Sequence, residues 1–121
     1  MKSVRKQRAR EIVMGQMMSA LPEADVVVTN PTHYAVALRY TRGQDAAPIV
    51  LAKGVDFLAL KIRAEARNLD IPTVEDRPLA RALYAKVEVN HPIPEDLFGP
   101  VAKVLAIIYR RKARRRAARG M

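Results

Sequence analysis

The chain has 121 residues, no cysteine, 5% aromatic residues and a formal net charge of +10. That length supports one modest core, and the absence of cysteine excludes a disulfide framework and a thiolate metal site; two histidines far apart leave no expectation of a metal or a cofactor. No stretch approaches the roughly 18 apolar residues that a membrane-spanning helix needs, and the Met1 end lacks the apolar run of a signal peptide.

In chain order, residues 2–19 read as a charged, Met-rich helix ending before Pro22, with Met14, Met17, Met18 and Leu21 on one packing face. Residues 25–29 and 34–40 read as strands around Asn30-Pro31-Thr32-His33. In the second, Tyr34, Val36, Leu38 and Tyr40 point one way and Ala35, Ala37 and Arg39 the other. Residues 42–45 form a turn or short loop. Pro48 opens a third strand, Ile49-Val50-Leu51-Ala52, which Gly54 closes. A helix follows from Asp56 to Asn68 with Leu58, Ile62, Ala66 and Leu69 as its stripe. Ile71 to Val74 is a fourth strand, and Pro72 places it at a sheet edge. Pro78 suits the first turn of a helix running to about Lys86. Pro94 opens the last helix, whose buried stripe is Leu97, Val101, Val104, Leu105 and Ile108. The pattern predicts an α/β fold: one small domain with a four-stranded sheet covered by about four helices, preceded by an N-terminal linker helix.

Charge divides the chain further. Five of the 22 basic residues lie in the first ten positions and seven lie after Tyr109, with no acidic residue in either segment. The remaining ten face all 12 acidic residues between positions 11 and 109, a net of −2. The expected organisation is therefore a basic linker helix over 1–20, a folded domain over 21–109 and a basic flexible tail over 110–121. Such tails suit an anionic membrane surface or nucleic acid, or are simply solvated. The near-neutral centre without aromatic-rich basic strands argues against a nucleic-acid module.

The Asn30-Pro31 pair carries the chemistry. Asparagine usually deamidates when the next residue's N–H attacks its side-chain carbonyl, but proline has no N–H. The open route is attack by the Asn30 side-chain nitrogen on its own backbone carbonyl. That closes a succinimide and expels the Pro31 nitrogen. The reaction needs enforced proximity, which a turn pinned between two strands supplies. The Thr32 hydroxyl can donate to the developing oxyanion, and His33 can carry the proton. The alternative is an inert turn built from ordinary turn residues. Glu75 and Asp76 make a poor carboxylate pair, because neighbours on a strand point to opposite faces.

The run Val26-Val27-Val28-Thr29-Asn30-Pro31-Thr32-His33-Tyr34-Ala35-Val36-Ala37-Leu38 resembles the self-cleaving cytoplasmic domain of the type III export switch family, FlhB and its YscU-like relatives. The likeness continues through Ala52-Lys53-Gly54-Val55-Asp56, Pro78-Leu79-Ala80-Arg81-Ala82-Leu83-Tyr84 and Ile93-Pro94-Glu95-Asp96-Leu97-Phe98. Tyr34 resembles the flagellar branch, with an injectisome member as the alternative; Asn90-His91 departs from the glycine more usual there. The resemblance implies one intramolecular cut between Asn30 and Pro31, with Asn30, Pro31, Thr32 and His33 as the site, no turnover on other substrates and no cofactor. It implies a place at the cytoplasmic face of the bacterial inner membrane, as part of a longer membrane protein. The implied partners are other export-gate subunits, a hook-length ruler protein and secreted rod, hook and filament proteins. The cut would accompany a change from rod and hook to filament substrates. The apolar loop entry Ala46-Ala47-Pro48 offers Ala47 and Pro48 as a substrate-docking point.

Overall fold

The computed structural model describes residues 2–120. Helix α1 spans Lys2–Ala20 and passes through a 3-10 turn, Leu21–Glu23, into strand β1, Val26–Asn30. Strands β2 (Tyr34–Arg39) and β3 (Ile49–Val55) follow, then helix α2 (Asp56–Asn68), strand β4 (Thr73–Glu75) and helix α3 (Arg77–Lys86). A second 3-10 turn, Glu95–Leu97, leads into α4, Phe98–Arg119. This is the expected α/β architecture, with α2, α3 and α4 covering the sheet and α1 leading into it.

The sheet order is β3-β2-β1-β4. β1 runs antiparallel to β2 and parallel to β4, and β2 runs antiparallel to β3. The three-residue β4 is an edge strand, as Pro72 suggested, but it starts at Thr73 and ends at Glu75 instead of running from Ile71 to Val74. Strand β1 is central, with Val26, Val27 and Val28 fully buried. Each buried valine contributes on the order of 1.5 kcal/mol or more. Side-chain alternation sends the two sets of strand residues into two separate cores. Val26, Val28, Val36, Leu38, Val50 and Val74 pack under α3 and α4. Val27, Ala35, Ala37 and Ala52 pack under α2 and the end of α1.

The helices follow from local chemistry. Asp76 caps α3 by accepting from the Leu79 N–H at 3.2 Å, so the Glu75/Asp76 pair is a strand end and a cap. The whole expected stripe of the last helix, from Leu97 to Ile108, is buried. Beyond Tyr109 the helix continues to Arg119 with every residue exposed. The packed body begins earlier than residue 21, because Met17 is buried against the second core.

Two further expectations shift. Gly54 does not close β3; the strand continues through it to Val55. A Cβ at Gly54 would lie 2.6 Å from Leu58 Cγ and 3.1 Å from its backbone carbon, so the glycine lets α2 settle onto the strand. The α2 stripe is also rotated. Ala59, Ile62 and Ala66 are buried, whereas Leu58 is half-buried and Leu69 exposed. Small alanines face small strand residues on this side, and alanine gives the closest approach. Gly54→Ala should therefore lower stability by about 1–3 kcal/mol through overpacking. Urea denaturation reads this as a lower midpoint at unchanged slope; an unchanged midpoint would show that α2 does not depend on close approach at Gly54.

Candidate functional site

The loop between β1 and β2 holds Pro31, Thr32 and His33, and the register pairs Asn30 with Tyr34 across it. The His33 N–H donates to the Asn30 carbonyl at 3.0 Å, closing a four-residue turn. Pro31 suits the second position of such a turn. Thr32 occupies the third with φ 67. A positive φ there is the mark of a type II turn, which favours glycine or asparagine. For a β-branched residue this backbone is a genuine outlier. The strands override that preference: β1 is bonded on both edges and Val26, Val28, Val36 and Leu38 fix its register.

The turn is tied to the rest of the fold at both ends. The Asp76 N–H donates to the Thr29 carbonyl at 2.9 Å. The Asp56 N–H donates to the His33 carbonyl at 3.0 Å. Asp56 itself has φ 47, so a second strained residue begins α2 directly beside the turn. His33 Nδ1 lies 3.9 Å from Asp56 Oδ1, too long for a hydrogen bond, and both side chains are exposed. Asn30, His33, Tyr34, Val55, Asp56 and Arg81 line a shallow cleft of about 360 Å³. Behind the cleft the Tyr34 ring lies 5.3 Å from that of Tyr84, whose carbonyl accepts from Lys53 Nζ at 2.9 Å.

The four sequence-predicted residues thus lie together in one turn. The group that polarises the Asn30 carbonyl is the backbone N–H of His33, which no side-chain reading reveals. Asp56 was also missed: its sequence signal was only an acidic residue favouring a helix start. The His33 ring is exposed to solvent.

The loop entry behaves differently from expectation. Ala47 is 8% exposed and belongs to the first core, so it is not itself a surface residue; Ala46 is exposed and Pro48 half-buried. Across from them stand Phe98, Ala102 and Leu105, around an apolar pocket of about 220 Å³. Phe98 is 43% exposed. The loop is clamped by Asp45, which accepts from Arg39 at 3.1 and 3.3 Å and from the Thr41 N–H at 2.8 Å. The Arg39 guanidinium, then the Thr41 N–H, hold the Asp45 carboxyl below its usual range. His91 lies in an exposed loop, and its carbonyl accepts from the Val50 N–H at 3.1 Å. Among the described residues no helix is long and apolar enough to cross a membrane.

Comparison with known proteins agrees with this arrangement. Residues 1–108 match the model of the FlhB HrpN YscU SpaS family. The chain is 53% identical over 111 residues to the flagellar biosynthetic protein FlhB of Bacillus subtilis, covering 92% of this chain and 31% of that protein. It spans less than a third of that curated relative's length. The crystal structure of the cytoplasmic domain of FlhB from Shewanella putrefaciens superposes with TM-score 0.81 at 45% identity, covering 86% of this chain and 80% of that one. A mutated EscU C-terminal domain superposes with TM-score 0.74 at 39% identity, covering 78% and 94%. With a family match over most of its length and these likenesses, the chain belongs to the FlhB HrpN YscU SpaS family, on its flagellar side.

Proposed function

We propose that the chain cuts itself once between Asn30 and Pro31 and then serves as part of a flagellar protein-export gate. The observation that carries this reading is the strained Thr32 turn, held between two strands with the Asn30 carbonyl already hydrogen-bonded. The Asn30 side-chain nitrogen attacks that carbonyl carbon. The His33 N–H stabilises the oxyanion as it forms. The new ring C–N bond replaces the Asn30–Pro31 bond. The proton lost by the attacking amide reaches the departing Pro31 nitrogen by way of His33 or water. The products are a C-terminal succinimide on residue 30 and a free amino terminus on Pro31. This is a single event without turnover, and it calls on no cofactor. In the gate, the cut accompanies a change in export preference from rod and hook proteins to filament proteins. The partners are other gate subunits, a hook-length ruler and the exported proteins, at the cytoplasmic face of the inner membrane.

Intact-mass measurement tests the cut. The purified chain should give pieces 1–30 and 31–121 after denaturation, and one species by size exclusion without it, because β1 is a central strand. Asn30→Ala should remain whole, and persistent cutting in that variant would end the mechanism. Thr32→Gly should slow the cut. In the uncut Asn30→Ala background it should also raise stability by about 1 kcal/mol, by removing the left-handed cost.

Membrane contact falls to the first basic segment, where residues 5–10 are all exposed. Each cation near an anionic leaflet is worth about 1 kcal/mol. Vesicles containing phosphatidylserine should bind the chain at low salt and lose it when Arg5, Lys6 and Arg8 become glutamine; retention by that variant argues against the assignment.

Substrate docking is assigned to the apolar pocket between Pro48 and Phe98, with Ala47 shaping it from beneath. Pro48→Asp should sharply weaken capture of a purified rod or hook subunit while leaving the cut unchanged. Equal capture would move the docking point elsewhere.

A further inference from the structure

The sheet's outer edge at β4 lies in a slot between two helices that arrive from opposite faces. Helix α2 brings Arg63 and Arg67; α4 brings Arg111, Lys112 and Arg115. The slot is about 390 Å³, floored by Ile71 and Ile108, and Asp70 is its one acidic side chain. Spacing of four residues sets Arg63 above Arg67 and Arg111 above Arg115 on their helices, where like charges repel. None of these five cations takes part in an ion pair among the described residues. The fold gathers them from positions about 50 apart in sequence and leaves them uncompensated.

The strand beside them is open. The Pro72 carbonyl accepts from the Val27 N–H at 2.9 Å, and the Asp76 N–H donates to Thr29. Alternation then turns the N–H and C=O of Thr73 and Glu75 away from β1, towards the free edge. Thr73 and Glu75 are both exposed. A free strand edge is a template for an added strand. A strand added there sends its side chains alternately to the two faces, where α2 cations wait on one side and α4 cations on the other. Glu75, 4.0 Å from Arg77 at the far end, sets a polarity: acidic residues fit near Thr73 and not beyond Glu75.

We propose that this slot binds an acidic peptide in extended form, as a fifth strand along β4. A concave slot between two helices suits a protruding segment better than a flat bilayer. No aromatic side chain lines it, so nucleic-acid bases have nothing to stack on. This inference is independent of the cut.

The test uses the whole 121-residue chain and a fluorescein-labelled peptide in which pairs of glutamates alternate with pairs of valines, so that both faces of the added strand carry acid and one valine of each pair faces β4, followed by anisotropy. A control peptide carries proline in place of each valine, keeping the charge but losing the strand donors. The first peptide should bind, and the proline peptide about tenfold more weakly. Reversing the slot, with Arg67→Glu and Arg111→Glu, should cost about tenfold or more, and the neutral pair Arg67→Gln and Arg111→Gln a smaller loss in the same direction. Reversing Arg5 and Arg8 should change little. On binding, the Thr73 and Glu75 amide resonances should shift. Equal affinity for both peptides would overturn strand addition. Unchanged peptide affinity in both slot variants would overturn the site. Loss of phosphatidylserine-vesicle or duplex-DNA binding in the slot variants, with peptide binding intact, would give the slot to lipid or nucleic acid instead.

Discussion

Everything at the candidate site depends on the grip that the sheet has on β1. The strand is bonded along both edges, to β2 and β4, and packs valines into both cores. Its end therefore cannot move to relieve the turn that follows. A left-handed backbone costs an ordinary residue roughly 1–2 kcal/mol, and a threonine turn in isolation would open. Here the strand pairing is worth more than the turn costs, so the turn stays strained. The same grip fixes Asn30 at the strand's end and keeps its carbonyl under the His33 N–H.

The two faces of the sheet have different jobs. The face under α3 and α4 carries valines and leucines and supplies most of the buried volume. The face under α2 is thin, built from Ala35, Ala37, Ala52, Ala59 and Ala66. Thinness brings α2 close, and the close approach at Gly54 sets where the helix starts. That start is Asp56, whose N–H holds the His33 carbonyl. Packing between small residues is thus linked to the position of the turn through one strand and one helix end.

Much of this was legible from sequence, and the reasons are local. The bounds of α2, Asp56 to Asn68, follow from the helical spacing that sets in after Gly54, and the stripe of α4 follows from the same spacing. The four residues of the turn stood out because proline closes one reaction of asparagine and leaves another. Other features were hidden. Gly54 looked like a stop because glycine often is one; its actual role, room for Leu58, exists only once α2 has docked. The Leu58 stripe was misplaced because hydrophobicity alone does not tell which face needs a small residue. Ala47 looked exposed at an apolar loop entry, whereas the loop folds it inward under the Asp45 clamp. The arginines at the β4 slot lie on separate helices, and no window along the chain contains both groups.

The positive φ at Thr32 has a consequence for reversibility. While the chain is continuous, Thr32 is fixed from both sides, by β1 through Pro31 and by β2 through Tyr34. Were the bond before Pro31 opened, one of those anchors would go, and Pro31 and Thr32 would be free to rotate into ordinary backbone. Rejoining would require a secondary amine to find the same carbonyl and Thr32 to climb back into the left-handed region. In the proposed cut, the strain released in the forward step would then work as a ratchet against the return. A turn that glycine would have made comfortable would lack that bias.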